Sequence, residues 1–364
     1  MKLRCDRKSF ETVVGLAAGV VPVRPTRPIL HHVLLHVEGD RATVQATDLE
    51  LFMTCRLSLI QCTEPGRLAL PAQPLQQILR ESTGSVVDLS TDGSLAVLKT
   101  TGGIFRLSGD SADDFPTGPS EEGESFLELE ADRFRELVNF TQFAASRELG
   151  RYAVNGILVS VEEGTIRFVA TDGKRLAVAA VPFAGKVEEC AQILPLKGIL
   201  QFQKALGPED KTIGLSLSGK KTMLRTRGAM LSAVSIDARF PPYKEVIPKP
   251  GFGRTVQLAR DLFFSCVRQT AVMAGDDSPT VTLTFGEGSL VFSSHVEGRG
   301  DARVEMAVDY AGEPTILSFN PQFFLDFSKV DLPAEFGFEF LDADTAGVFR
   351  IKEGVEYFVM PVNH

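Results

Sequence analysis

Residues 170–178 read Ala170-Thr171-Asp172-Gly173-Lys174-Arg175-Leu176-Ala177-Val178, and their opening triplet already stands at Ala46-Thr47-Asp48, followed there by Leu49-Glu50. The separation is 124 residues, and Phe10 returns as Phe134 across the same distance (170 − 46 and 134 − 10). Asp114-Phe115-Pro116 comes back as Arg239-Phe240-Pro241, with a weaker echo in Val359-Met360-Pro361. A chain of 364 residues that repeats at this length is read as three similar units.

Each unit opens on an amphipathic helical pattern. Phe10, Val13, Val14 and Ala17 fall at helical spacing, as do Phe134, Leu137, Val138 and Thr141, and then Phe263, Cys266 and Val267. Asp6, Asp132 and Asp261 precede these residues, where a carboxylate caps the helix or joins its first turn. Alternating strands follow. Ile29 to Val37 and Ala42 to Ala46 flank Glu38-Gly39-Asp40, Gly156 to Val161 and Thr165 to Ala170 flank Glu162-Glu163-Gly164, and Thr280 to Phe285 and Ser289 to Ser293 flank Gly286-Glu287-Gly288. A second helix is expected at Pro74–Arg80, Leu196–Leu206 and Pro321–Lys329, with further strands closing each unit. The fold class is therefore α+β: three similar domains, each of two helices packed on antiparallel sheets. Pro116-Thr117-Gly118-Pro119-Ser120-Glu121-Glu122-Gly123-Glu124 and Pro248-Lys249-Pro250-Gly251-Phe252-Gly253 read as connectors, which places the domains at 1–120, 121–248 and 249–364.

Hydrophobic residues make up 44% of the chain and charged residues 23%, enough for each unit to bury a core. The formal charge of −9 argues against binding nucleic acid through the whole surface, but an acidic mean can coexist with a local basic face. No run of about 20 apolar residues is present. Met1-Lys2-Leu3-Arg4 leads straight into a strand-like pattern without the features of a leader, so a cytoplasmic location with no membrane partner is expected. Cys5, Cys55, Cys62, Cys190 and Cys266 are scattered without a C-x-x-C pair and read as buried reduced thiols. The histidines show no ligand spacing, and neither metal nor cofactor is expected.

No nucleophile elbow, phosphate-binding glycine loop or dinucleotide fingerprint occurs. Asp113-Asp114, Glu162-Glu163, Glu188-Glu189 and Asp276-Asp277 are adjacent acids that point apart on turns or strands, which is poor geometry for a general acid/base pair. The repeated Thr-Asp reads as a turn in which the carboxylate bonds backbone N–H groups. What the second copy has alone, Gly173-Lys174-Arg175-Leu176, is the better functional candidate.

At these residues the chain resembles the bacterial β sliding clamps, the processivity subunits of replicative DNA polymerase III. Arg24-Pro25-Thr26-Arg27-Pro28-Ile29-Leu30, Ala46-Thr47-Asp48-Leu49-Glu50, Arg151-Tyr152-Ala153-Val154-Asn155-Gly156, residues 170–178, Arg239-Phe240-Pro241-Pro242-Tyr243 and Tyr357-Phe358-Val359-Met360-Pro361 carry the likeness, in order and over the whole chain. The resemblance implies a non-enzymatic homodimer, closed head to tail into a ring around duplex DNA, with helices lining the hole and sheets outside. Its partners would be DNA without sequence specificity, a second copy of itself, the polymerase III alpha subunit, the clamp loader and other proteins bearing a clamp-binding motif.

Carried over residue by residue, the DNA-facing positions would be Arg24, Arg80, Arg133, Arg147, Arg151, Tyr152 and Lys197. The motif pocket would be formed by Val154, Thr171, Gly173, Lys174, Arg175, Leu176, Pro241, Val246, Val359, Met360, Pro361 and Val362, with Thr171 and Arg175 as polar fixing points. Ring closure would use Phe105, Arg106 and Leu107 of an edge strand against Val272, Met273, Asp301 and Glu305. This chain departs from the family pattern at Glu148, Ala153, Lys174 and the Val362-Asn363-His364 end, which touches DNA contact and motif preference. A peptide-binding scaffold that does not encircle DNA and an unrelated α+β enzyme are the alternatives.

Overall fold

In the computed structural model, which describes residues 1–146, 155–183, 185, 188–275 and 278–362, antiparallel strands alternate with helices α1 (Arg7–Ala18), α2 (Ala72–Glu81), α3 (Ala131–Thr141), α4 (Leu196–Ala205), α5 (Tyr243–Val246), α6 (Arg260–Ala271) and α7 (Pro321–Phe327). Helix α1 starts where Asp6 Oδ1 accepts the Ser9 N–H at 2.7 Å. It buries Phe10, Val13, Val14 and Ala17, the face read from the sequence. Asp132 and Asp261 lie inside the first turns of α3 and α6, where they complement the helix dipole. Helix α7 is capped by Asn320, whose side chain accepts from Gln322 N at 2.9 Å.

One arginine ties the two helices of each repeat together. Arg7 Nη1 donates to Leu79 O at 2.6 Å and Arg260 Nη1 to Leu332 O at 2.6 Å, while Arg135 Nη2 donates to Leu206 O at 3.4 Å and Gly207 O at 3.1 Å. Leu79 O is one of the last carbonyls of α2, which lack partners in the helix itself, while Leu206, Gly207 and Leu332 lie in the segments that follow α4 and α7. Arg7 and Arg260 stand three residues before the repeated phenylalanine and Arg135 one after it, a shift of one turn that keeps the same helix face.

The described residues form two compact units, Met1–Arg135 with Leu194–Asp237, and Glu136–Ile193 with Ala238–His364. In the first, an eight-stranded sheet runs in the order Leu127–Glu130, Thr212–Ser218, Lys221–Arg225, Ala229–Val234, Leu51–Leu57, Arg41–Thr47, His32–Glu38, Gly66–Pro71. Its five-stranded sheet is ordered Leu59–Glu64, Lys2–Asp6, Thr83–Asp92, Leu95–Thr101, Gly103–Ser108. In the second unit, an eight-stranded sheet runs Cys190–Pro195, Gly156–Glu162, Thr165–Thr171, Arg175–Pro182, Val355–Val359, Gly347–Lys352, Glu335–Phe340, Arg254–Ala259. A four-stranded sheet is ordered Gly300–Ala307, Ser289–Val296, Val281–Gly286, Thr315–Phe319.

Each eight-stranded sheet joins strands from two of the repeats. Leu231 pairs with Met53 in the first and Leu176 with Phe358 in the second, so backbone ladders, not side chains alone, weld neighbouring repeats. The connectors are pinned to these sheets. Glu121 accepts from Arg225 Nη1 at 3.3 Å, and the Arg225 guanidinium lies 3.8 Å from the Phe126 ring centroid. Glu124 accepts from Lys221 at 2.8 Å and from Ser216 Oγ at 3.1 Å. The second connector is held where the buried Glu339 accepts from Gly253 N at 3.3 Å and Arg350 Nε at 2.8 Å. The first connector is an ion-paired strap, and the second is held by a backbone N–H on an ion-paired carboxylate.

Two readings of the sequence are corrected. Pro28–His31 forms a 3-10 turn, and the strand begins only at His32: Pro28 occupies the first helical position, which its fixed φ suits, and Ile29 and Leu30 are buried there. Cys5, Cys55 and Cys266 are buried, with burial pushing the Cys5 and Cys55 thiols up to about 12, but Cys62 and Cys190 are only half-buried. Both belong to strands at the edge of their sheets, where one flank lacks a covering neighbour.

Candidate partner-binding site

The Thr-Asp repeat is one turn built twice. Thr47 Oγ1 donates to Leu51 O at 2.7 Å and accepts from Leu49 N at 2.9 Å, while Asp48 Oδ1 accepts from Glu50 N at 3.2 Å and Leu51 N at 2.7 Å. In the second copy Thr171 Oγ1 donates to Arg175 O at 2.7 Å and accepts from Gly173 N at 3.1 Å, and Asp172 Oδ1 accepts from Lys174 N and Arg175 N, both at 3.0 Å. The third residue of the turn has φ +79° at Leu49 and +87° at Gly173. The first copy holds in left-handed backbone a leucine where the second has the residue that suits it.

The copies differ in what their second carboxylate oxygen meets. Asp48 Oδ2 accepts from Lys197 Nζ of α4 at 2.8 Å, and the same ammonium donates to Val20 O at 2.8 Å. Asp172 Oδ2 accepts from Arg175 Nε at 2.9 Å, and Arg175 Nη1 reaches Asp326 Oδ2 of α7 at 2.9 Å. In both, the turn is fastened to the second helix of the next repeat, but the cation comes from the helix in one case and from the turn in the other.

Arg175 is thereby withdrawn from the surface, with a side chain 10% exposed. Its guanidinium lies 4.8 Å from the Phe323 ring centroid and 5.9 Å from that of Phe143. Burial works against its charge, but the carboxylates of Asp172 and Asp326 outweigh it, so its affinity for the proton is raised. Asp326 also accepts from Gln322 Nε2 at 2.9 Å and Lys329 Nζ at 2.8 Å. Against the cost of burial, these donors and Arg175 hold its carboxyl below the usual range. Burial pushes the Tyr357 phenol up, so it remains neutral, and it donates to Phe323 O at 3.1 Å.

The sheet brings together three of the segments expected to form the motif pocket. Arg175 pairs with Val359, and Met360 N donates to Lys174 O at 2.9 Å. Leu176, Phe358 and Tyr243 share one buried cluster with Val169, Val178 and Val348, with Phe240 and Ile247 packed against it. Strand alternation divides the expected set, because neighbouring residues of a strand point to opposite faces. Leu176 and its cross-strand neighbours Thr171 and Phe358 lie on one face, Arg175 and Val359 on the other. Val359 is fully buried, and the Thr171 hydroxyl and Arg175 guanidinium already have internal partners. Gly173 and Lys174 are exposed, as are Val246 at 68% and Met360 at 45%, while Pro241, Pro361 and Val362 are half-buried. Val154 lies outside the described residues. Sequence reasoning missed Phe358, Tyr243 and Phe240 on the Leu176 face, and Phe143, Phe323 and Asp326 around Arg175. The period-two alternation back from Met360 could have indicated Phe358; nothing in the sequence marks Asp326.

Of the expected DNA-facing residues, Arg147, Arg151 and Tyr152 lie outside the described residues. Arg24 is exposed after α1. Arg80 pairs with Glu81 at 2.8 Å and Arg133 approaches Glu130 at 3.9 Å, while Lys197 holds the Asp48 turn. The expected closing residues lie on or beside open edges. Phe105, Arg106 and Leu107 belong to the edge strand Gly103–Ser108, and Asp301 and Glu305 to the edge strand Gly300–Ala307. Met273 follows α6, and a side chain added at Gly300 would meet its methyl carbon at 2.9 Å; Val272 is exposed beside it. Among the described residues no cluster of potential metal ligands and no helix long and apolar enough to cross a membrane occurs.

Comparison with known proteins gives the same reading throughout. Models of the DNA polymerase III beta subunit match in order: the N-terminal domain over residues 1–119, the central domain over 128–242 and the C-terminal domain over 244–363. The beta sliding clamp of Caulobacter vibrioides is 33% identical over the full length of both chains, and that of Pseudomonas putida 28%. Among solved structures, a Pseudomonas aeruginosa sliding clamp bound to griselimycin superposes with a TM-score of 0.94 at 28% identity, and a Caulobacter crescentus beta sliding clamp with 0.91 at 32%, each covering 100% of both chains. Three consecutive domain matches and full-length relatives above 30% identity place the chain in the DNA polymerase III beta subunit family, the beta sliding clamps, which makes it a non-catalytic processivity subunit of DNA replication.

Proposed function

We propose that two copies of this chain, each of domains 1–120, 121–248 and 249–364, close head to tail into a cytoplasmic ring that encircles duplex DNA. The ring tethers the polymerase III alpha subunit, the clamp loader and other motif-bearing proteins. The observation that carries this reading is the pair of open sheet edges, Gly103–Ser108 and Gly300–Ala307. Both alternate: Phe105 and Leu107 are half-buried between exposed Ile104, Arg106 and Ser108, and Ala302 and Val304 are half-buried between exposed Asp301, Arg303 and Glu305. Paired across two copies, the edges would satisfy each other's backbone groups and set Arg106 toward Asp301 and Glu305. Two such heterologous contacts close a dimer.

Contacts to DNA would come from Arg24, Arg80, Arg133 and Lys197, with Arg147, Arg151 and Tyr152. They address phosphates without reading bases and weaken with salt. Partner motifs would dock where Val246 and Met360 offer apolar surface over the buried Leu176, beside Gly173, Lys174, Pro241, Pro361 and Val362. Thr171 and Arg175, already bonded internally, and the buried Val359 would support that pocket from behind. Sedimentation over a concentration series tests the ring: a dimer is expected, together with loader-dependent retention on nicked circular DNA that ends when the circle is cut. A monomer at micromolar concentration that loader and ATP cannot place on DNA would instead favour a peptide-binding scaffold.

A further inference from the structure

A groove of about 410 Å³ lies on the second unit's eight-stranded sheet beside α5. Its apolar lining is Val178 and Ala180, alternate residues that continue the face of Leu176 along Arg175–Pro182, with Tyr243 and Ile247 of the connector. Its volume falls in the range of small-ligand clefts.

The charges around it are unequally matched. Lys244 Nζ donates to Glu162 Oε2 at 2.6 Å, and Arg167 Nη1 stands 3.6 Å from the same oxygen, so Glu162 is neutralised. Glu356 is bound by Arg350. Glu163 and Glu189, both exposed at the groove, have no cationic partner among the described residues. An apolar lining with unmatched carboxylates fits a side chain that is aliphatic along its stem and cationic at its tip.

We propose that this groove takes a lysine or arginine side chain from the segment flanking the docked motif of a protein partner, its stem along Val178, Ala180 and Tyr243 and its cation at Glu163 and Glu189. The proposal rests on the motif pocket described under Proposed function. Helix α5 links the two sites, with Val246 belonging to the pocket and Tyr243 and Lys244 to the groove. Leu176 and Ala180 are four residues apart (180 − 176) on one strand. That is about 13 Å, which an extended segment of similar length spans.

The test measures binding of synthetic peptides to the full-length protein: a clamp-motif peptide alone, and the same peptide extended at either end by a flank containing lysines or glutamates. One of the lysine extensions is expected to bind about fivefold more tightly than the unextended peptide at low salt. The gain should disappear in a Glu163→Gln/Glu189→Gln variant and at high salt, while the unextended peptide binds that variant normally. Glu189→Gln alone, in case the turn at Glu163 is disturbed, should remove about half of the gain in free energy. No gain from either lysine extension, or a gain that survives the double substitution, overturns the groove assignment. Failure of the pocket reading looks different: the unextended peptide would then bind a Met360→Ala variant as well as it binds the parent.

Discussion

Arg175 Nη1 lies 2.9 Å from Asp326 Oδ2 across 151 residues of sequence, and both side chains are only 10% exposed. The pair fastens the Asp172 turn to α7, and through Lys174 O it steadies Met360 at the chain's last strand. Removing one partner of a buried pair leaves the other charge desolvated, so Arg175→Ala and Asp326→Ala are each expected to lower unfolding free energy by about 3 kcal/mol. The double variant should lose less than the sum of the two. Urea denaturation of the three variants checks this, and strict additivity would show that the residues are not coupled.

The same contact predicts a pH dependence. The carboxyl of Asp326 is held below its ordinary value of 3.8, so its contribution is fully present above that value and lost as pH falls through its lower folded value. Asp326→Asn should therefore be less stable than the parent at neutral pH, with the gap shrinking below about 3.8. Denaturation curves from neutral pH to about pH 3 provide the measurement; a gap independent of pH would assign the stabilisation to packing.

Leu49 is 51% exposed and holds φ +79°, the conformation for which the second copy has Gly173. Leu49→Asn is expected to raise stability by about 1 kcal/mol, because asparagine tolerates left-handed backbone without glycine's extra chain entropy. Thermal unfolding reads the change. A loss of stability would mean that the leucine side chain makes a contact that outweighs the strain.

Leu107 lies half-buried on the open edge Gly103–Ser108. Leu107→Asp should leave the monomer folded and raise the dimer dissociation constant by about 30-fold or more, through loss of roughly 2 kcal/mol at an edge that pairs with Gly300–Ala307 of a second copy. Sedimentation alongside circular dichroism separates lost pairing from lost folding.

Met360 is the exposed apolar residue of the last strand's end, and Met360→Ala should weaken a clamp-motif peptide about tenfold while the dimer persists. It is a cleaner probe than Arg175, whose loss would disturb the buried ion pair first. Fluorescence anisotropy with a labelled peptide reads the affinity.

The chain's order of residues determined the threefold plan, because apolar spacing of period 3.6 at Phe10, Phe134 and Phe263 and of period 2 in the flanking hairpins is local and survives without tertiary context. It also determined the Thr-Asp turn, whose hydrogen bonds all fall within five residues. The tertiary structure alone decided which repeats share a sheet, since Leu231 finds Met53 and Leu176 finds Phe358 only across long separations. It also decided the fate of Arg175. A basic residue beside a repeated turn reads as a surface anchor, but strand alternation turns it inward, away from Leu176, to Asp326 on a distant helix. Charge is written in the sequence; the side of the sheet on which it is spent, and the partner that neutralises it, are set only when distant strands pair.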